Sequence, residues 1–345
     1  MAAKVHTNLR SLEWAHGKAS VSAFGGMIGP CTFNLPSGIS VQPFHTAPWL
    51  DEADVNDLDG LLAGLQGEWP CVPFGYPLQP EGGPESWPDG WPGAVEAAAQ
   101  VADVHGYSSA ANWSFDAASD RAVSMYIDYP EHHAIRRLER VVRPDPDAAA
   151  LDIELTIYAR RETCEPIGLH GCFRLPPIAG MASLEPGGFA VGRTHPLTVE
   201  PEAPIFMPDT TFERLDAVEA VGGNKIDASC IPFVANGEDL LQLDGIDGCF
   251  AMAVHDKGYR VTFDWDADIL PSVLLWYSNR GRAAAPWKNQ HLCIGIEPIC
   301  SPFGLSPDMA RANNPIAANG TPTCVVLRPD TPVTIHYRIG VSDMK

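Results

Sequence analysis

The chain has 345 residues, of which 45% are hydrophobic and 19% are charged, so it has enough apolar material for a sizeable core and too little charge for a disordered protein. Its formal net charge of -20 repels nucleic acids and anionic lipid surfaces, and we expect neither as a partner. No stretch reaches the roughly 18 apolar residues of a membrane-spanning helix, and the N-terminal segment lacks the apolar run of a secretory signal. A cytoplasmic location is therefore expected.

The nine cysteines give no sign of a disulfide framework or of a metal site. Their number is odd, they are scattered along the chain, and no two have the CxxC spacing. Buried reduced thiols are therefore expected. The adjacent His132 and His133 do not suggest a metal either, because neighbouring strand residues point to opposite faces and do not both reach one ion. We expect no metal and no organic cofactor.

Helices and long loops are expected at only a few places. The acidic segment 50–67 is predicted to hold a short surface helix, and the stretch 77–93, rich in Pro, Gly and Trp, is predicted to be a long loop. Residues 210–222 are predicted to hold a second short helix. The 32 prolines and 31 glycines are otherwise spread along the chain, which is typical of many short elements joined by turns.

Strands are predicted where apolar and polar residues alternate with a period of two. The clearest segment is 151–157, in which Leu and Ile alternate with Asp, Glu and Thr, and segments 259–266 and 333–339 show the same pattern. One side of each strand would face a core, as in antiparallel sheets. We predict an all-β fold, a large antiparallel β-sandwich with few short helices, formed by residues 1–345 as a single domain.

Four polar residues are candidates for chemistry, although each also has a structural interpretation. His105 before a glycine is typical of a turn, and Asp247 beside glycines is typical of a hairpin. His170 lies in an apolar run, where a hydrogen-bonded core histidine is the alternative. Glu297 lies in the apolar segment HLCIGIEPIC, where a carboxylate without a partner would cost on the order of several kcal/mol. Glu297 therefore needs either an ion-pair partner or a catalytic role.

Taken in chain order, the segments around these residues resemble the aldose 1-epimerase family. The matching segments are PCVPFG (70–75), HGYSSAANW (105–113), HGCFRL (170–175), DGCF (247–250) and CIGIEP (293–298). The resemblance depends on the shared order of short motifs and implies a galactose mutarotase-like fold. It also implies that Glu297 is a base, His170 an acid, His105 a second partner of the sugar, and Asp247 an acceptor for a sugar hydroxyl.

The resemblance also indicates which residues would shape the sugar pocket. These substrate-binding candidates are Phe74, Trp113, Trp276, Trp287, Arg280 and Arg282. Galactose mutarotases carry an arginine near the first histidine motif, but no arginine lies between Gly75 and Trp113. The sugar of that branch therefore cannot be assumed. Arg280 or Arg282 is a candidate for binding an anionic substituent of the sugar by bidentate contacts.

Interconversion of sugar anomers explains why these residue types would occur together. A base removes the proton of the anomeric hydroxyl while an acid protonates the ring oxygen, so that the ring opens and can close on either face. A carboxylate and a histidine, with reference pKa values of about 4.3 and 6.5, can do this near neutral pH without a cofactor. The predicted function is an aldose 1-epimerase with a small-molecule sugar as substrate, and a monomer or homodimer is expected.

Two other functions are compatible with the same fold, because fold does not determine function. The first is a non-catalytic carbohydrate-binding protein. The second is a lyase, or an epimerase that acts at another carbon. A serine hydrolase is disfavoured because the sequence has no GxSxG elbow.

Overall fold

The computed structural model describes residues 8–52, 58, 60–76, 83–88, 104–116, 119 and 121–344, and most of them lie in strands or in the turns between strands. The first twelve strands are β1 (Leu9–Trp14), β2 (Gly17–Ser22), β3 (Ile28–Asn34), β4 (Ser40–Val41), β5 (Glu68–Cys71), β6 (Ser114–Phe115), β7 (Val123–Asp128), β8 (Ile135–Pro144), β9 (Ala150–Ala159), β10 (Thr163–Glu165), β11 (Ile167–Arg174) and β12 (Ala182–Pro186). The next twelve are β13 (Val191–Thr194), β14 (Thr211–Phe212), β15 (Val218–Glu219), β16 (Lys225–Ile226), β17 (Cys230–Ile231), β18 (Gly237–Asp244), β19 (Cys249–Val254), β20 (Tyr259–Trp265), β21 (Ser272–Asn279), β22 (Leu292–Cys300), β23 (Val325–Leu327) and β24 (Val333–Asp343).

Two large antiparallel sheets contain most of these strands. The larger sheet has eleven strands in the order β1-β2-β3-β5-β11-β22-β21-β18-β13-β14, with β4 paired to β3. The smaller sheet has nine strands in the order β17-β12-β19-β20-β24-β9-β8-β7-β6. Two short pairs, β10 with β23 and β15 with β16, lie outside them. The predicted all-β sandwich is confirmed, whereas the single-domain organisation stays a prediction.

One apolar core lies between the two large sheets. Alternate residues of the predicted segment 151–157 in β9 belong to it and are at most 2% exposed, and segments 259–266 and 333–339 form β20 and β24 as predicted. The rings of Phe173 in β11 and Phe263 in β20 lie 6.3 Å apart across this core. Each large apolar side chain buried in this way stabilises the fold by roughly 1.5–3 kcal/mol.

A second apolar layer covers the opposite face of the larger sheet, which we call its outer face. It includes Trp49, Trp69, Trp276 and Phe303, all of them buried. Because both faces are covered, every residue of β21 and β22 is buried, and so are the first seven of the eight residues of β11. Polar residues in the middle of these three strands are therefore held away from water on the outer face.

Helices are few and short in the described part of the chain, as predicted, but their positions differ from the prediction. The α-helices are α1 (Pro307–Arg311) and α2 (Pro315–Ala318), and none of the described helices is long and apolar enough to span a membrane. The helix predicted for 210–222 is wrong, since this segment forms β14, a single 3-10 turn and β15. The described part of segment 50–67 contains short 3-10 turns, and most of the loop predicted for 77–93 lies outside the described residues.

The cysteines also differ in part from the prediction of reduced thiols. Cys164 of β10 forms a disulfide with Cys324, 160 residues further along the chain, and this bond lies beside the pairing of β10 with β23. The other seven cysteines are free, and Cys230 and Cys249 are exposed rather than buried. Disulfides are rare in reducing compartments, so this bond weighs against the predicted cytoplasmic location. The cytoplasmic location stays a prediction.

A buried ion pair joins the two large sheets. Arg140 of β8 contacts Glu68 of β5, and both side chains are fully buried. The hydroxyl of Tyr337 in β24 donates to Glu68 Oε1 at 2.9 Å and accepts from Arg140 at 2.8 Å. Arg140 also donates to the carbonyl of Gly26. The carboxylate and the guanidinium therefore each have several partners, which buried charges require.

We predict that Glu68→Gln lowers the free energy of unfolding by about 3–5 kcal/mol, because it leaves the Arg140 charge buried without a counter-charge. Urea unfolding measures this effect. The control is Asp128→Asn, which breaks the exposed pair of Asp128 with Arg137 and should cost about 0–1 kcal/mol. Equal stability losses in the two variants would contradict the role given to the buried pair.

Candidate active site

Three neighbouring strands bring the candidate catalytic residues together on the outer face of the larger sheet. β5 and β11 pair so that Trp69 lies opposite His170. β11 and β22 pair with Gly171 opposite Ile296, so that the adjacent positions, His170 and Glu297, also lie opposite each other. Side chains of residues opposite each other in adjacent strands are close enough to interact directly. Register alone thus brings together residues that are more than 100 positions apart in the sequence.

His170 and Glu297 form a buried pair. His170 Nε2 lies 3.3 Å from Glu297 Oε1, and the two residues are 4% and 1% exposed. Burial raises the pKa of Glu297 well above its usual value. Burial lowers the pKa of His170 well below its usual value, and the neighbouring His105 is the second cause. Both shifts favour the uncharged forms of the two groups.

The indole of Trp69 supports the histidine of this pair. The rings of Trp69 and His170 are stacked, with centroids 4.1 Å apart and an angle of 14° between their planes. Trp69 Nε1 and Glu297 Oε2 are buried and have no hydrogen-bond partner among the described residues. Unpaired buried polar atoms are rare and costly. Trp69 Nε1 and Glu297 Oε2 are therefore available to bind the hydroxyl groups of a ligand.

Gly295 makes room for the carboxyl group of Glu297. A Cβ atom at Gly295 would lie 2.3 Å from Glu297 Oε1 and 2.8 Å from the Cβ of Trp276. Both distances are shorter than van der Waals contact. Any larger residue at this position would therefore displace Glu297, Trp276 or both.

His105 approaches the pair from a loop with unusual backbone geometry. His105 has a φ of 61°, a conformation that costs a residue with a side chain about 1–3 kcal/mol, and Gly106 follows with a φ of 84°. His105 Nδ1 accepts a hydrogen bond from the amide of Gly75 at 3.3 Å, so its proton is on Nε2. Burial lowers the pKa of His105 to about 3. The residue is therefore a neutral hydrogen-bond donor, and its ring meets the ring of His170 edge-on at 5.0 Å.

A second group of candidates lies around Glu238, a buried residue of β18 that the sequence interpretation missed. Glu238 accepts hydrogen bonds from Trp276 Nε1 at 2.6 Å and Ser278 Oγ at 3.0 Å, and it pairs with Arg282 Nε at 3.1 Å. The guanidinium of Arg282 also lies 4.5 Å above the ring of Trp287. Because its charge is already compensated by Glu238, Arg282 is less suited to binding an anionic sugar than the sequence suggested.

The remaining candidates occupy different positions. Phe74 is buried and contacts the ring of His105 at 4.8 Å. Trp113 is buried in the core, where its Nε1 donates to the carbonyl of Ser108, so it does not offer an open aromatic face. Arg280 is half-buried at the end of β21 with a φ of 61°.

Asp247 does not join the group. Asp247 is exposed in the turn between β18 and β19, where it accepts hydrogen bonds from the amide of Gly188 at 2.9 Å and the thiol of Cys249 at 3.2 Å. This is the hairpin role that the sequence left open for it. This turn follows the end of β18, whereas the buried carboxylate of Glu238 belongs to the second residue of the same strand.

Together, the fold and the site define a β-sandwich of the galactose mutarotase-like class with a buried Glu–His pair on one sheet. No family model matches the sequence, and no curated protein matches it. Solved structures do match across nearly the whole chain. A candidate aldose 1-epimerase from Escherichia coli K12 has a TM-score of 0.65 and 14% identity, with 98% of this chain and 99% of that chain covered.

Two further solved structures are similar in the same way. An aldose epimerase homologue from Caenorhabditis elegans has a TM-score of 0.64 and 12% identity over 98% of this chain and 99% of its own. A galactose mutarotase-like protein from Lactobacillus casei has a TM-score of 0.59 and 13% identity over 97% of this chain and 100% of its own. At these identities the likeness shows the fold, and it confirms the fold that the sequence resemblance implied.

We predict that Gly295→Ala lengthens the contact between Glu297 and His170 and lowers stability by about 1–3 kcal/mol, because the added methyl group overpacks the outer face. A crystal structure and urea unfolding of the variant measure the two effects. Gly188→Ala is the control, since a Cβ there would meet only one atom, at an ordinary distance of 3.5 Å. Unchanged pair geometry in Gly295→Ala would contradict the steric role of this glycine.

Proposed function

We propose that this protein is an aldose 1-epimerase that interconverts the α and β anomers of a sugar by acid-base ring opening. The observation that carries the proposal is the buried pair of His170 and Glu297, opposite each other on adjacent strands and 3.3 Å apart. The similarity of the fold to aldose epimerase-like structures is consistent with it but does not identify the reaction, since one fold serves many functions.

The pair has the groups that the reaction needs. Glu297 removes the proton of the anomeric hydroxyl while His170 donates a proton to the ring oxygen, so the bond between the anomeric carbon and the ring oxygen breaks and a carbonyl forms. Rotation about the neighbouring carbon–carbon bond then presents the other face of the carbonyl. On closure His170 takes back the proton from the hydroxyl oxygen and Glu297 returns its own to the carbonyl oxygen, which regenerates both groups.

The proton inventory of the pair fits this exchange. The reacting form has an ionised Glu297 and a protonated His170, and the open-chain form has a neutral carboxyl group and a neutral imidazole. Both forms contain one proton on the pair, so the reaction only transfers a proton between its members. Burial favours the uncharged arrangement, which assists ring opening and must be offset by contacts with the cyclic sugar.

Neighbouring groups supply the remaining contacts with the sugar in this proposal. The Nε2–H group of His105 donates to a sugar oxygen, and Trp69 Nε1 donates to a hydroxyl. Trp276, held by Glu238, offers an aromatic ring beside His170, with ring centroids 5.7 Å apart. Because Glu297 is only 1% exposed, the side chains that cover it must move before a sugar reaches it.

We predict that Glu297→Gln and His170→Asn each lower the rate of anomer exchange by about 10²- to 10⁴-fold, the usual effect of removing one positioned acid or base. This corresponds to about 3–5 kcal/mol of transition-state stabilisation. The measurement is exchange NMR on neutral, acidic and phosphorylated aldoses, corrected for spontaneous mutarotation. The melting temperature should stay near that of the unchanged protein, because burial raises the pKa of Glu297 and so disfavours the charge that the glutamine removes.

Asp239→Asn is the matched control for these variants. Like Glu297, Asp239 is a buried carboxylate, but it lies in β18 and accepts hydrogen bonds from the amides of Ile205 and Phe206, away from the pair. This variant should exchange anomers at a normal rate. If Glu297→Gln is stable and retains normal exchange, Glu297 is not the base. If the unchanged protein binds an aldose without accelerating exchange, it is the carbohydrate-binding protein of the alternative interpretation.

The pH dependence of catalysis follows from the two pKa shifts. Adding a second proton to the pair charges His170, so the acid limb lies below the reference value of about 6.5 for histidine. Removing the remaining proton charges Glu297, so the alkaline limb lies above the reference value of about 4.3 for glutamate. The neighbouring titratable groups are His105, which is neutral, and the thiols of Cys71, Cys172 and Cys293, whose pKa values are raised by burial.

We therefore expect the acid limb of kcat/KM to lie at a pH below about 6.5, the reference pKa of histidine. A pH series of anomer exchange rates at subsaturating sugar measures this profile. An acid limb centred near pH 6.5 would show that His170 ionises as freely as in water and would contradict a buried pair in the active form.

A further inference from the structure

Three ligand-type side chains converge on the outer face beside Trp276, apart from the catalytic pair. They are His45, His291 and Cys293, and one ligand atom of each lies within 4.8 Å of the other two. The rings of His45 and His291 meet edge-on, with centroids 4.5 Å apart. All three residues are at least nine-tenths buried, with exposures of 8%, 2% and 0%.

The sequence alone gave no signal for this cluster. His291 directly precedes β22 and Cys293 is the second residue of that strand, so the two side chains, two positions apart, emerge on the same face. His45 is almost 250 residues away and reaches them because its backbone amide donates to the carbonyl of Cys172 in β11, the neighbour of β22. Two residues of the cluster therefore come from strand periodicity, and the third comes from the sheet order.

Both histidines have a ring nitrogen with no partner. Nε2 of His45 and Nε2 of His291 are buried, and neither has a hydrogen-bond partner among the described residues. Each of these two nitrogens is therefore open to a ligand within the cluster.

A hydrogen-bond chain fixes which nitrogen of His291 carries the proton. Glu238 accepts hydrogen bonds from Trp276 Nε1 and from Ser278 Oγ, the latter at 3.0 Å, and it pairs with Arg282. Because the hydroxyl hydrogen of Ser278 is directed to Glu238, its oxygen accepts from His291 Nδ1 at 2.8 Å. The proton of His291 is then on Nδ1, which also lies 3.8 Å from Cys293 Sγ, and Nε2, which has no partner among the described residues, presents a bare lone pair. Metal-binding histidines are typically oriented by such a chain to a carboxylate.

We propose that His45, His291 and Cys293 bind one Zn²⁺ ion. Two imidazoles and a thiolate are typical zinc ligands, with bond lengths of about 2.0–2.1 Å to nitrogen and 2.3 Å to sulfur. Around a tetrahedral ion with these bond lengths, the ligand atoms are separated by about 3.3–3.6 Å, so small side-chain rotations would bring the three ligand atoms to these separations. Three protein ligands leave one position of the ion for a water molecule.

Metal titration of the full-length protein tests the site without any assay of activity. The chain is stripped with a chelator and reloaded with Zn²⁺, which is counted by mass spectrometry, or with Co²⁺, which reports its ligands by absorption. The expected result is one Zn²⁺ per chain and a Co²⁺ adduct with a tetrahedral spectrum and a thiolate-to-cobalt charge-transfer band. Failure to bind a stoichiometric ion, or a Co²⁺ spectrum without the thiolate band, overturns the proposal.

Variants identify the ligands. Cys293→Ser should abolish the thiolate band, and both it and His45→Gln should weaken Zn²⁺ binding by more than about 100-fold, since even the loss of an outer-shell partner costs 10- to 100-fold. Cys31→Ser is the control, because Cys31 is an equally buried free thiol in the core between the sheets. A band that survives in Cys293→Ser, or an equal loss in Cys31→Ser, would place the ion elsewhere. If Cys293→Ser does not fold, the Co²⁺ spectrum of the unchanged protein is compared with that of His45→Gln, and this comparison decides whether the cluster binds the ion.

Discussion

The ion pair between Arg140 and Glu68 is the constraint on which the arrangement of the site depends. Both groups lie in the core between the sheets, where each charge is tolerated only because the other is present and because Tyr337 adds hydrogen bonds to both. Adjacent residues of a strand point to opposite faces, so an inward Glu68 forces Trp69 outward. The stability of the sandwich and the floor of the candidate site are therefore fixed by the same strand, β5.

From Trp69 the geometry continues across the larger sheet by register. The outward Trp69 stacks on His170, and His170 meets Glu297 on the next strand. Gly295, the preceding outward position of β22, leaves the space that the carboxyl group occupies. Because β11 and β22 are central strands with apolar layers on both faces, the side chains of His170 and Glu297 are taken out of water. Their pKa shifts follow from that placement rather than from any unusual residue.

A second polar system shares the same face and meets the first at Trp276. The ring of Trp276 contacts His170 on one side and stacks with His291 on another, with centroids 5.3 Å apart, and its Nε1 is held by Glu238. Glu238 also orients Ser278 and hence His291. One buried carboxylate thus positions an aromatic wall of the candidate sugar site and a histidine of the proposed zinc site. Any link between the two sites would pass through these contacts.

The sequence by itself determined the class of fold, because period-two alternation in segments such as 151–157 reflects one face buried in a sheet, a local property. It also predicted His170 and Glu297 as candidates, because a polar residue in an apolar strand is visible without knowing its neighbours, and it predicted His105 from the order of the motifs along the chain. The tertiary structure decided what depends on pairing. The apolar residues of 210–222 mimic a helical period but pack as short strands, since sheet contacts outweigh local propensity. Strand order and register join residues that are far apart in the chain. They account for the disulfide of Cys164 with Cys324 and for the cluster of His45, His291 and Cys293. They also account for the presence of Glu238, rather than Asp247, on the outer face.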